Sequence, residues 1–171
     1  MNPKFVWWLV AVATLLVCSC SKKQPAYEQP QPNMDSVDRS AGSHLDPVRV
    51  LHRVISVSNH AEFAFSVPPH QKDARLRGTF RSFTKRGAPD STSDDTANID
   101  VMVLNDQQLD DFQHGKPVAA TYEIDPSHDQ RVEWKAPATS DQAQTYHLVF
   151  NNSSGGAKTK FVQADFSVTF E

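Results

Sequence analysis

Seven histidines, His44, His52, His60, His70, His114, His128 and His147, are the residues best suited to metal or acid–base chemistry in this chain. Zinc sites draw on pairs such as His-x-His or His-x-x-x-His, or on Glu-x-x-His, because those spacings put the ligands on one face of an element. None of these spacings occurs, so the histidines read as scattered surface residues. Asp90, Asp94 and Asp95 in "APDSTSDDTAN" offer the hard oxygens that calcium prefers. They lack the Asp-x-Asp-x-Asp-Gly order of a calcium loop, so a solvated hairpin loop is expected. The cluster would gain meaning only if Asp129 or Asp141 folded against it. No metal site is assigned.

Hydrolytic motifs are equally thin. No Gly-x-Ser-x-Gly is present. "SSGG" at 153–156 lies between two expected strands with no helix after it, so it reads as a hairpin loop rather than a phosphate cradle. Two glycosylation sequons, Asn151-Asn152-Ser153 and Asn152-Ser153-Ser154, read as turn composition. The strongest binding feature is a row of cations. Arg75, Arg77 and Arg81 share one face of a strand, with Lys85 and Arg86 beyond, and guanidinium matches phosphate bidentately. Such a row could hold an anionic glycan or a lipopolysaccharide phosphate. The plainer alternative is a solvated outer sheet face balanced by nearby Asp and Glu. No catalytic residue and no cofactor is implied.

The start of the chain carries a different chemistry. Lys4 is followed by an apolar run from Phe5 to Val17, through Trp7, Trp8, Leu9, Leu15 and Leu16, and polarity returns at Ser19. This is a charged region and a hydrophobic region of signal-peptide length, short of the about 20 apolar residues that a spanning helix needs. The only two cysteines, Cys18 and Cys20, are too close in sequence for good disulfide geometry and too few for a thiolate metal site. Val17-Cys18-Ser19-Cys20 resembles the lipobox of bacterial lipoproteins: a branched apolar residue, a variable one and a small one before the modified cysteine.

That resemblance implies cleavage before Cys20, a diacylglycerol on its sulfur and further acylation, of palmitate type, on the new amino group. Two or three acyl chains anchor stably, since each buried methylene contributes about 0.8 kcal/mol and one chain alone is marginal. Lys22 and Lys23 would add attraction to anionic headgroups. Ser21 stands where an aspartate retains many such proteins at the inner membrane, which in a Gram-negative envelope favours the periplasmic side of the outer membrane. From Ser21 to about Pro47 the chain is rich in Gln, Pro, Ser and Asp and nearly empty of apolar residues. It cannot offset its ordering entropy and reads as a disordered tether.

The organisation expected is therefore a signal peptide over 1–19, the lipidated cysteine and tether over 20–48, and one folded domain over 49–171. With 17 basic against 20 acidic residues and a net charge of -3, the chain lacks the basic bias of nucleic-acid binders. Within the domain, period-two alternation marks strands half buried on a common core. Phe63, Phe65 and Val67 fall on one face, as do Leu76, Gly78 and Phe80, and Ile99, Val101 and Val103. The pattern continues with Val118, Ala120, Tyr122 and Ile124; Val132 and Trp134; Tyr146, Leu148 and Phe150; and Val162, Ala164, Phe166, Val168 and Phe170. Trp134 and Phe166 are expected at the centre. "DQQLDDFQ", 106–113, is the one helical segment, with Leu109 and Phe112 on one side and Asn105 or Asp106 as cap. About eight strands without strand–helix alternation predict an all-β antiparallel sandwich of jelly-roll type.

"RGTF" at 77–80, "NIDVMVLN" at 98–105, "TYHLVFNNSS" at 145–154 and "KFVQADFSVTF" at 160–170 resemble the GOLD (Golgi dynamics) β-sandwich over roughly residues 50–171. Tyr146, Phe150, Asn151 and Asn152 match its pattern, and strand packing and a turn also account for them. The disulfide pair, coiled coil and C-terminal membrane span of that family's cargo receptors do not follow, so their trafficking role does not carry over. The resemblance implies a noncatalytic module that binds a protein, glycan or lipid. Two other readings stay open: an envelope hydrolase or metal-dependent enzyme using the scattered His and Asp, and a structural subunit of an envelope assembly.

Overall fold

The computed structural model describes residues 45–86, 95–153 and 157–170. The signal segment, Cys20, the tether as far as His44, the aspartates Asp90 and Asp94, and the glycines of "SSGG" lie outside the described residues.

Eight strands form two antiparallel sheets: β1 (Val48–Val57), β2 (His60–Val67), β3 (Ala74–Phe83), β4 (Ile99–Asn105), β5 (Tyr122–Ser127), β6 (Asp129–Lys135), β7 (Gln144–Asn151) and β8 (Lys160–Phe170). One sheet runs β1-β8-β3-β6 and the other β2-β7-β4-β5. This order is a jelly roll, the two-sheet arrangement of eight strands expected from the alternation. Consecutive strands β1 to β4 alternate between the sheets, as do β7 and β8. The connections 84–98 and 152–159 therefore cross from one sheet to the other, and neither is the hairpin loop expected from the sequence.

Alternation places one side chain in two between the sheets. Phe80, Phe150 and Phe166 are fully enclosed and meet edge to face, with ring centroids 6.0 Å apart for Phe80–Phe150 and 5.9 Å for Phe150–Phe166. Each contributes about 1.5–3 kcal/mol by burial. Phe166 is central, as expected. Trp134 is buried too, but on the edge strand β6, where it packs on Tyr146 at 4.9 Å and Phe65 at 6.3 Å. Burial holds the Tyr146 phenol above its ordinary pKa.

Two departures from the expected pattern have local causes. In β1 the register slips between Arg49 and Leu51, and this bulge breaks the alternation that marks other strands. Val118 and Ala120 precede β5 rather than belonging to it. They pack with Leu109 and Phe112 on Met102, Leu104 and Val149, a second small core on the outside of the β2-β7-β4-β5 sheet.

That outer core exists because β4 carries apolar residues on both faces, Ile99, Val101 and Val103 inward and Met102 and Leu104 outward: every residue from Ile99 to Leu104 is buried. The helix α1 (Asp106–Gln113) covers it. Asn105 caps α1, its side chain accepting from the Gln108 amide at 2.8 Å while the Gln108 side chain accepts from the Asn105 amide at 2.9 Å. This reciprocal capping box fixes the helix start directly after the strand. Gly115, at φ 69, then reverses the chain in the left-handed conformation that suits glycine.

Candidate functional site

With α1 covering one outer face, no described helix or strand covers the other, and Arg75, Arg77 and Arg81 project from it. Strand register arranges this face in rows. Gly78 and Phe80 point inward from β3, so Arg77, Thr79 and Arg81 point outward, opposite Ser167, Asp165 and Gln163 of β8. On β1, Val54 stands opposite Gln163 and His52 opposite Asp165. On β6, Asp129 stands opposite Arg81 and Glu133 opposite Arg77.

The arginines are engaged by carboxylates across this register. Arg75 forks onto Asp73, from Nε at 2.9 Å and Nη2 at 3.2 Å, and reaches Glu133 at 3.3 Å. Arg77 donates from Nε to the same Glu133 oxygen at 3.1 Å. Arg81 stands apart and donates to Asp129 from Nε at 3.0 Å and Nη2 at 2.9 Å. Lys135 completes the far end, 3.3 Å from Asp73. The hydrogen bond from Arg75 holds the Asp73 carboxyl below its ordinary pKa, and that from Arg77 does the same for Glu133. Exposed ion pairs of this kind contribute little stability. Their effect is to fix the guanidinium planes and to set three carboxylates against the four cations Arg75, Arg77, Arg81 and Lys135.

Two depressions lie side by side on the face. One, of about 440 Å³, is lined by His52, Val54, Thr79, Arg81, Asp129, Gln163 and Asp165. Its neighbour, of about 490 Å³, is lined by Val54, Ile55, Ser56, Arg86 and Phe161. The Phe161 ring stacks on Phe83 at 5.9 Å and 24°. Polar and apolar floors thus adjoin at Val54, which is 52% exposed.

His52 Nδ1 lies 3.1 Å from Asp165 Oδ2. The pair does not make a nucleophile–base relay with Thr79. His52 and Thr79 lie on strands flanking β8, two strand spacings or about 9.5 Å apart, and the carboxylate stands between them. Among the described residues no three His, Cys, Asp or Glu side chains come together as metal ligands. Asp95 contacts Asn98 at 3.3 Å, Asp129 is engaged by Arg81, and Asp141 lies 3.8 Å from His70.

Elsewhere, His147 sits beneath α1, with Nε2 2.8 Å from Asp106 Oδ1 and Nδ1 buried without a partner. Lys160 was missed by sequence reasoning, although it falls in phase with Val162, Ala164 and Phe166. It is fully buried, its ammonium bonds the Asn98 carbonyl, and burial lowers its pKa against the opposing pull of Asp100. Ser82, also fully buried, bonds the Ala97 carbonyl beside it and closes the same end of the sandwich.

No family model matches the chain, and no curated protein matches it. Among solved structures, it is similar to that of TmCBM61 in complex with beta-1,4-galactotriose, at 9% identity and a TM-score of 0.39, covering 73% of this chain and 69% of that one. A likeness of that degree bears on neither ligand nor site. Among the described residues no helix is long and apolar enough to cross a membrane.

Proposed function

We propose that the chain is a lipid-anchored protein of the cell envelope whose jelly roll is a noncatalytic binding module, meeting its ligand on the open face of the β1-β8-β3-β6 sheet. The observation that carries the binding reading is the inequality of the two outer faces. One is sealed by α1 and the residues after it. The other holds two depressions and a register of fixed charged and polar side chains. The lipobox resemblance at Val17 to Cys20 supports the anchor, with the tether carrying the domain off the bilayer. The GOLD-like pattern supports the same noncatalytic role.

Each half has its own test. In a Gram-negative host the full chain takes up a labelled fatty acid and partitions into Triton X-114, and Cys20→Ala abolishes both; label that survives in the variant refutes the anchor. For the face, the Cys20→Ala chain is cosedimented with washed native envelopes. Gln163→Trp, on the open face, lowers retention, whereas Ser66→Trp, on the opposite sheet, leaves it unchanged. Equal retention of the two variants refutes the binding surface.

A further inference from the structure

Resting on that reading of the open face, we infer that its ligand is a neutral glycan, one sugar ring lying against Phe161 and Val54 and the next held by Gln163, Asp129 and Asp165. The argument begins with charge. An anion approaching Arg81 competes with Asp129, which already takes two of its hydrogen bonds at 2.9 and 3.0 Å. A cation approaching Asp129 competes with Arg81 in the same way. A hydroxyl competes with neither, because it donates to a carboxylate lone pair and accepts from an amide without displacing a charge. The depression floored by the Arg81–Asp129 pair therefore complements a ligand group rich in hydroxyls and poor in charge.

The second part of the argument is the order of surfaces along β8. Phe161, Gln163 and Asp165 share the outward face at steps of about 7 Å, the length of two strand residues. The aromatic comes first, with Val54 diagonal to it, then an amide that both donates and accepts, then a carboxylate. A sugar ring is amphipathic in the same sense, with an apolar C–H face and a hydroxyl rim. Two successive rings laid along β8 would meet the Phe161 and Val54 floor of one depression, with Arg86 and Ser56 at its side as hydroxyl partners, and a polar floor beside it. Arg81 acts here as a positioning residue that holds Asp129 in place.

The test is calorimetric titration of the Cys20→Ala chain with cellohexaose, maltohexaose, mannohexaose and chitohexaose, and with polygalacturonate and lipopolysaccharide as charged comparators. At least one neutral oligosaccharide binds, with a Kd that changes less than about twofold between roughly 0.05 and 0.5 M salt, because no ion pair forms across the interface. Phe161→Ala and Gln163→Ala each weaken it at least tenfold. Gln163→Ala removes an exposed side chain and guards against a folding defect in Phe161→Ala, and circular dichroism checks both. Binding confined to the charged polymers and lost in salt overturns the inference, as does an absence of binding to every neutral probe. If Gln163→Trp abolishes envelope retention while no neutral oligosaccharide binds, the glycan inference fails and the open-face reading stands. If retention ignores the open face, both fall.

Discussion

Gly78→Ala tests the packing between the two central strands of the open sheet. Gly78 is an inward position of β3, opposite Phe166 of β8 and Val132 of β6. A Cβ there would stand 2.4 Å from the Asp165 carbonyl oxygen and 2.5 Å from two atoms of the Phe166 ring. The carbonyl is backbone in a paired strand, and the ring is fully buried against Phe150, so neither can retreat cheaply. Overpacking of a filled core costs about 1–3 kcal/mol and occasionally more. With one immovable partner of each kind, the upper end applies, about 3 kcal/mol.

For a domain of this size a urea slope of about 1.5 kcal/mol/M turns that into a midpoint lower by about 2 M, followed by far-UV circular dichroism. Gly115→Ala is the control. Nothing lies within 4 Å of its Cβ, and only the left-handed conformation at φ 69 opposes it, for a cost of about 1 kcal/mol. Adding Phe166→Leu to Gly78→Ala recovers part of the loss, because the ring contact goes while the carbonyl contact stays. A Gly78→Ala midpoint within experimental error of the parent, or a larger loss in Gly115→Ala, refutes the reasoning.

Two pH dependences follow from the shifted groups. The Glu133 carboxyl is held below its ordinary pKa by Arg77, so its stabilising contribution is complete above the unfolded-state value of about 4.3 and is lost as pH falls through the lower folded value. Glu133→Gln flattens the acid limb of urea midpoint against pH, and an unchanged limb sinks the assignment. Lys160 is lowered by burial, so the unfolded chain holds that proton to higher pH than the folded one, and stability rises with pH between the folded value and about 10.4. Lys160→Met removes this rise; persistence of the rise in the variant would locate it elsewhere.

The parts of the fold that could be read from the sequence are those where alternation was unbroken. Phe63 to Val67, Leu76 to Phe80 and Val162 to Phe170 each bury one face and show it in the residue types. β1 escaped because the bulge after Arg49 shifts its phase, leaving "VRVLHRVISV" with cations and valines on both sides. Val118 and Ala120 misled for a related reason. They are in phase with Tyr122 and Ile124, yet they are apolar because α1 needs a neighbour, not because they enter the central core. The outward projection of Arg75, Arg77 and Arg81 was legible from period two alone. Their carboxylate partners were not, because Glu133 and Asp129 arrive from a strand some 50 residues away whose register no local pattern states.

The same register explains why the two faces of the sandwich came to differ. On β4, Met102 and Leu104 point outward as apolar side chains next to Val149 of β7, an arrangement that costs free energy unless covered. Asn105 and Gln108 start a helix at once, and Leu109 and Phe112 bring it down onto that patch. On β3 the outward positions carry Arg75, Arg77, Thr79 and Arg81; Asp73 takes Arg75, and β6 answers with Glu133 and Asp129 on either side of Arg131, so the three β3 arginines are paired across the sheet. A helix laid there would have to desolvate the ion pairs, a penalty of several kcal/mol per ion that their mutual attraction repays only with excellent geometry. At one end of this face, past Arg81 and Gln163, the row changes to Phe161 and Ser56, with Phe161 stacked on the buried Phe83, and an aromatic floor begins at the rim of the polar one.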